Sequence, residues 1–294
     1  MQINKHGSFY LRNGWPTKIL DAIQGNPYIF SPANELDAVD TLGVGRVMVK
    51  AMRYWAYTTG ITLETKDQQG VYHTLSELGE CIFQYDPYCQ NEGTLWLLHR
   101  NLARDYENAT MWAWAFNDFK QRVFTKEQFS NAFFAYYQTN GGTSKKTATE
   151  KEFDCFKNTY VSDKRFDLEK IIDEDTIPFF SSLGLISYVG KGVFEMPMIS
   201  AKNIPVEIAL YCILKDNQTH LKEQHQIDID LLLDGRGQIG QYLSLNFSTL
   251  LELLQRMENM GYLTLVNNFG SRYIDLDPID TRELLSKYYK EMAR

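Results

Sequence analysis

The sequence predicts a mainly α-helical α+β protein with small β-hairpins, and three observations carry that prediction. Amphipathic helical stretches recur along the 294 residues. Two alternating, turn-bounded segments, near 61–75 and 262–276, read as hairpins. Each hairpin follows a helix closed by a glycine, Gly60 or Gly261. Helix, short glycine turn, helix and hairpin is the order of a winged helix-turn-helix. The expected organisation is a winged helix-turn-helix DNA-binding domain over 1–90 and an aromatic-rich helical region over 91–165, with a mobile loop near 139–152. A C-terminal α+β, winged-helix-like domain follows over 166–294.

Each element has a local reason. "SFYLRN" is a short extended run, and "PTKILDAI" is a helix with Pro16 in its first turn. "SPANELDAVDTLG" holds a second helix stopped by Gly43, and "GRVMVKAMRYWAYTTG" a third stopped by Gly60. "ITLETK", "DQQG" and "VYHTL" give strand, turn, strand. Thr74 and Glu77 have capping-box spacing for the next helix, "LSELGECIF". Residues 91–138 are helical, and their tryptophans, phenylalanines and tyrosines supply a packed core. The polar stretch 138–152, with Gly141, Gly142, Lys145 and Lys146, reads as a loop. Near the C-terminus "IPVEIALYCILKD" and "NFSTLLELLQRMENMGYL" are helices, the latter with capping-box spacing at Thr249 and Glu252. "YLTLV", "NNFG" and "SRYIDL" form the second hairpin.

Composition narrows the function classes. Hydrophobic residues are 44% and charged residues 23%, which excludes a disordered chain. The net charge of −7 excludes a uniformly basic coat protein, yet leaves room for a local basic stripe. No window is apolar enough to span a membrane, and the first residues hold no secretion signal. Cys81, Cys89, Cys155 and Cys212 form no CxxC pair, so reduced thiols in the cytoplasm are expected and a structural zinc is not.

That stripe lies in the third helix. On a helical wheel with Arg46 at zero, Lys50 falls at about 40°, Arg53 at about 340° and Tyr57 at about 20°. Met48, Ala51, Met52 and Trp55 gather between about 140° and 240°. Cations on one edge and bulky apolar side chains on the other suit a helix lying in a major groove, with Arg46 at its leading end. A solvated face of an ordinary amphipathic helix would look alike; the flanking helix-turn and hairpin favour DNA. "GRGQIG" (235–240) spells G-x-G-x-x-G without the strand–turn–helix frame of a dinucleotide site, so no nucleotide cofactor is expected. His99 and Arg100 pair a general acid or base with a charge that could stabilise a phosphodiester transition state, or are simply polar helix residues. The acidic runs "DEDT" (173–176) and "DIDLLLD" (228–234) lack the spacing of a two-metal nuclease, so metal ligands stay unknown.

His6, Phe9, Arg12, Trp15 and Lys18 give the pattern H-x-x-F-x-x-R-x-x-W-x-x-K. With "LGVGRVMVKAMRYW", "LSELGE", "GTLWLLHRNLA" and "FNDF", the chain resembles the SspB-type family of bacterial proteins, long of unknown function and associated with DNA phosphorothioation and antiviral defence clusters. The resemblance is densest over the first 120 residues. It implies a hydrolase that binds double-stranded DNA and nicks one strand so that sulfur can enter the backbone. It further implies work beside a cysteine desulfurase, an ATP pyrophosphatase-like sulfur-transfer enzyme and an ATPase. Mg²⁺ or another divalent ion would stabilise charge on the scissile phosphate. His6 and Arg12 match the first motif and join His99 and Arg100 as catalytic candidates; Lys18 joins Arg46, Lys50, Arg53 and Tyr57 as DNA-binding candidates. A non-catalytic adaptor that recruits the sulfur-transfer enzymes, and a protein-interaction module without DNA contact, are the alternatives. A homodimer is compatible with all three.

Overall fold

A computed structural model describes residues 1–161, 177–268 and 270–292. Among them, one order of elements recurs: one or two helices, an edge strand, two or three more helices, then a hairpin whose second strand pairs with the edge strand.

The first occurrence comprises α1 (Trp15–Gly25), α2 (Glu35–Leu42), α3 (Arg46–Thr58) and the antiparallel hairpin β1 (Thr62–Lys66) and β2 (Val71–Leu75). Its edge strand is reduced to one bond, from the His73 N–H to the Pro27 carbonyl at 2.8 Å. Two helices follow, α4 (Glu77–Tyr85) and α5 (Glu92–Arg104). The second occurrence is α6 (Thr110–Asn117), β3 (Val123–Thr125), α7 (Lys126–Thr139), α8 (Lys146–Tyr160), β4 (Ser187–Gly190) and β5 (Val193–Glu195), with sheet order β3-β5-β4. The third begins with α9 (Val206–Asp216), the short α10 (Gln218–Leu221), β6 (Gln226–Asp228) and α11 (Ile229–Asp234). It continues with α12 (Ile239–Tyr242), α13 (Phe247–Asn259), β7 (Thr264–Asn268) and β8 (Ser271–Asp275), with sheet order β6-β8-β7. A last helix, α14 (Thr281–Met292), returns to the N-terminal part: the hydroxyls of Tyr289 and Thr94 lie 2.8 Å apart, and the Tyr288 hydroxyl donates to Asn91 at 2.6 Å. The fold is therefore helix-rich with small antiparallel sheets.

Several local expectations change. Ser76, not Thr74, caps α4, accepting from the Gly79 N–H at 2.9 Å. Asn246, not a Thr249–Glu252 box, caps α13, accepting from the Thr249 N–H. In both, a short side chain nearer the first helical turn satisfies an otherwise orphaned donor. "SFYLRN" forms no strand beyond one bridge from Arg12 to Pro178. Residues 146–152, expected as loop, open α8, because Thr149 and Glu152 pack inward. The middle region, expected to be helical, also carries the sheet of β3, β4 and β5. "DEDT" lies outside the described residues.

The aromatic side chains pack as expected. Trp55, Trp96, Trp112, Phe129, Phe133, Phe153, Phe156 and Tyr160 are essentially inaccessible. Many meet edge to face, as Trp55 and Trp112 do at 5.5 Å, the arrangement favoured by ring quadrupoles. Apolar residues of all three occurrences form one continuous buried cluster.

Candidate nucleic-acid interface

The turn into α3 is set by two glycines. Gly43 adopts φ 63°, a conformation that a side chain disfavours, and its N–H returns to the Val39 carbonyl to close α2. Gly45 then caps α3 in extended geometry. The buried side of α3 is Val49, Ala51, Met52, Trp55 and Ala56. Trp55 is anchored by its indole N–H, which donates to the Phe9 carbonyl at 2.9 Å. The opposite edge stands in solvent: the Arg46 side chain is 63% exposed, Lys50 75% and the Tyr57 residue 43%.

The cations on this edge are not equally free. Arg46 and Lys50 both face Glu35 of α2, at 3.9 and 3.8 Å, too loosely for directed hydrogen bonds. Arg53 is held: Nε and Nη2 donate to the two oxygens of Glu64 on β1, each at 2.7 Å. That bond, with the Arg53 charge and His73, holds the Glu64 carboxyl below its ordinary value. Arg53 therefore ties the hairpin to α3. Behind it His73 is fully buried, 3.3 Å from Glu64 and 3.0 Å from the Thr62 hydroxyl. Burial, reinforced by the Arg53 charge and opposed by Glu64, pushes the imidazole down to about 4, so it is neutral at pH 7. Lys18 reaches from α1 to donate to the Leu42 carbonyl at 3.0 Å, capping the C-terminus of α2. A cleft of about 320 Å³ opens beside α3, lined by Phe30, Pro32, Glu35, Val49, Lys50 and Arg53.

The two histidines among the catalytic candidates are not brought together. His6 is inaccessible: its Nδ1 accepts from the Ser8 N–H, so Nε2 carries the proton and donates to Glu152 at 3.0 Å. His99 is inaccessible too, with Nε2 2.8 Å from the Tyr242 carbonyl and Nδ1 2.8 Å from the Tyr160 hydroxyl. A carbonyl can only accept, so Nε2 carries the proton and Nδ1 accepts from Tyr160. Burial lowers His99 to about 4, against the opposing carbonyl contact. A chain of ring contacts through Trp112, Phe156 and Tyr160 separates the two imidazoles. Arg100 binds Asp216, which is itself inaccessible, and also donates to Asn101. Arg104 and the Tyr242 hydroxyl meet the same Asp216 at 3.1 and 2.6 Å. Arg12 is stacked at 5.5–5.9 Å from the rings of Tyr10, Trp15 and Phe9. In this geometry His6, His99 and Arg100 are bonded to partners inside the protein, and Arg12 lies beside three aromatic rings.

Other motifs resolve into structural parts. The loop of "GRGQIG" is pinned to the middle region by Arg104, which donates to the Gly237 carbonyl, and by Asn117, which accepts from the Gly237 N–H at 2.7 Å. Arg236 lies 3.9 Å over the Tyr106 ring and pairs with Asp118 at 3.0 Å. In "DIDLLLD", Asp228 caps α11 and Asp230 pairs with Arg272. Among the described residues no group of three or more His, Cys, Asp or Glu side chains gathers to hold a metal ion, and no helix is long and apolar enough to cross a membrane. All four cysteines are free and buried.

A family model described as a protein of unknown function, DUF4007, matches residues 3–289. No curated protein matches the sequence. A magnesium-ion-bound crystal structure of SspB is similar at 24% identity and TM-score 0.82, over 99% of this chain and 88% of that one. A second SspB crystal structure is similar at 22% identity and TM-score 0.80, over 99% of this chain and 94% of the other. At such identities the likeness establishes a shared fold.

Proposed function

The chain belongs to the DUF4007 family, and from that premise we propose that it binds duplex DNA through α3 and the β1–β2 hairpin and nicks one strand in support of phosphorothioate modification in a bacterial defence system. The observation that carries the binding half is the exposed edge of Arg46, Lys50 and Tyr57 on a helix tied to the hairpin by Arg53–Glu64. The order α1, α2, α3, hairpin is read as a winged helix, with α3 in the major groove and the hairpin on the flanking backbone. The segment from α9 to β8 is read as a second winged-helix unit.

The nicking half rests on the family resemblance and the SspB fold. The ion in one SspB structure makes Mg²⁺ the helper ion proposed here. The described residues form no preformed protein cage for it, so no catalytic step is assigned through it; Mg²⁺ shared with substrate phosphates commonly needs only one or two carboxylates. A cysteine desulfurase, a sulfur-transfer enzyme and an ATPase are the proposed partners, in a reducing cytoplasm that suits four free thiols. One observation favours a second reading, a non-catalytic DNA-binding adaptor: His6, His99 and Arg100 are bonded to partners inside the protein.

Supercoiled plasmid separates these readings. With Mg²⁺, purified protein should convert it to open circles, and EDTA should stop the conversion. Binding without conversion, across a range of ions and salt, leaves the adaptor. Absence of duplex binding at low salt removes the proposal.

A further inference from the structure

The N-terminal turn joins α3 to α8, and this juxtaposition extends the surface on which DNA can lie. Residues 4–7 form a tight turn closed by the Gly7 N–H on the Asn4 carbonyl at 3.2 Å, so its two ends lie within about 7 Å of each other. One end is fixed to α8: the Asn4 side chain donates to the Ala148 carbonyl at 3.1 Å, and its backbone N–H donates to Glu152. The other end touches α3: a Cβ on Gly7, which has φ 56°, would lie 3.4 Å from Val47. Between them His6 points inward, stacked on Trp55 and bonded to Glu152, while Lys5 points into solvent. The first turns of α3 and α8 thus sit on either side of one turn of chain.

The charge is arranged to match. Lys145, Lys146 and Lys151 at the start of α8 are exposed, as is Lys5. Among the described residues none of the four is paired with a carboxylate, in contrast to Lys126, which is held by Asp154 at 2.6 Å. Two carboxylates are set among them: Glu150, half-buried, and Glu152, buried and bonded to Asn4 and His6. The edge strand and sheet order β3-β5-β4 give α8 the same place in its segment that α3 has in the first.

We infer that Lys5, Lys145, Lys146 and Lys151 form a second phosphate-contacting patch, continuous with the α3 edge, so that one duplex runs across both helices. This deepens the DNA-binding reading above and rests on it. Neutralising a phosphate releases counterions, so each lysine that meets a phosphate adds about 0.9 to the slope of log K against log salt.

The test compares fluorescence anisotropy on a labelled 30-base-pair duplex, over a salt series, for three proteins besides the wild type. These are K5A/K145A/K146A/K151A, the same four positions changed to Arg, and R46A/K50A. The quadruple alanine protein should lose roughly 2–4 units of slope and bind at least about tenfold more weakly at physiological salt. The arginine version should keep both, and R46A/K50A should lose its own share. All four lysines are exposed, so circular dichroism and melting should match the wild type. Wild-type affinity and slope in the quadruple alanine protein, with R46A/K50A impaired, would overturn the second patch and leave the α3 reading standing. A wild-type protein without salt-dependent duplex binding would overturn both.

Discussion

α3 and α13 occupy the same place in the same order of elements, yet they show solvent different chemistry. Each buries a stripe: Val49, Met52, Trp55 and Ala56 on α3, and Leu250, Leu253, Leu254 and Met257 on α13. Each is followed at once by an antiparallel hairpin. α3 exposes Arg46, Lys50 and Tyr57, whereas α13 exposes Ser248, Glu252, Gln255 and Asn259. The cation of α13, Arg256, is turned inward to donate to the Ala201 carbonyl at 2.6 Å, and Glu258 accepts from the Leu265 N–H. The architecture supplies a rigid helix on a hairpin. What that helix can bind is decided by its exposed edge, so fold alone does not carry function.

The largest expected effect concerns the junction that holds the third segment to α5. Asp216, at the end of α9, is buried against Arg100, Arg104 and Tyr242. Asp216→Ala leaves the Arg100 guanidinium without its counter-charge and should cost about 3–5 kcal/mol, read as a fall in the urea midpoint. An unchanged midpoint would mean that the third segment is not held to α5 through this group.

The next effect bears on the contrast itself. R46A/K50A should weaken duplex binding roughly tenfold or more and lower the salt slope by about 0.9 for each phosphate no longer neutralised, by anisotropy. E252A/Q255A on α13 should leave both unchanged. Equal effects from the two variants would erase the contrast.

Acid should separate the segments as well. His73 under the first hairpin is lowered to about 4, against an ordinary value of 6.5, because burial disfavours its charged form. The unfolded chain therefore takes up a proton at a higher pH than the folded one. Stability contributed by neutral His73 is complete above pH 6.5 and is lost as pH falls toward 4, at about 1 kcal/mol per pH unit. In the third segment His225 is exposed and His220 half-buried instead. Hydrogen exchange should show β1–β2 losing protection between pH 6.5 and 4.5 ahead of β7–β8. The reverse order would contradict the assignment.

Much of this contrast is legible in sequence. The α3 edge follows from a 3.6-residue period over thirteen residues, and both hairpins follow from alternation around turn-forming residues. The β3-β5-β4 sheet is not legible, because β3 and β5 are three residues each and β4 four, too short for a period to show. The start of α8 is hidden in a polar stretch whose helicity depends on Thr149 and Glu152 packing against residues far away in sequence. The pairing of His6 with Glu152 spans 146 positions, and that of Arg100 with Asp216 spans 116. No local pattern records such pairings, so the sequence does not show which histidines and arginines are held by distant partners. Arg53 is a milder instance: its place on the wheel is correct, and only the hairpin register reveals that Glu64 has claimed it.

The most direct test of the central claim is thiol cross-linking to a duplex carrying tethered disulfides along its major groove. The four native cysteines are at most 6% exposed and will not compete. Lys50→Cys on α3 should cross-link rapidly, and Gln255→Cys on α13 should remain unreacted under the same conditions. Cross-linking of Gln255→Cys at a rate equal to or above that of Lys50→Cys would contradict the account.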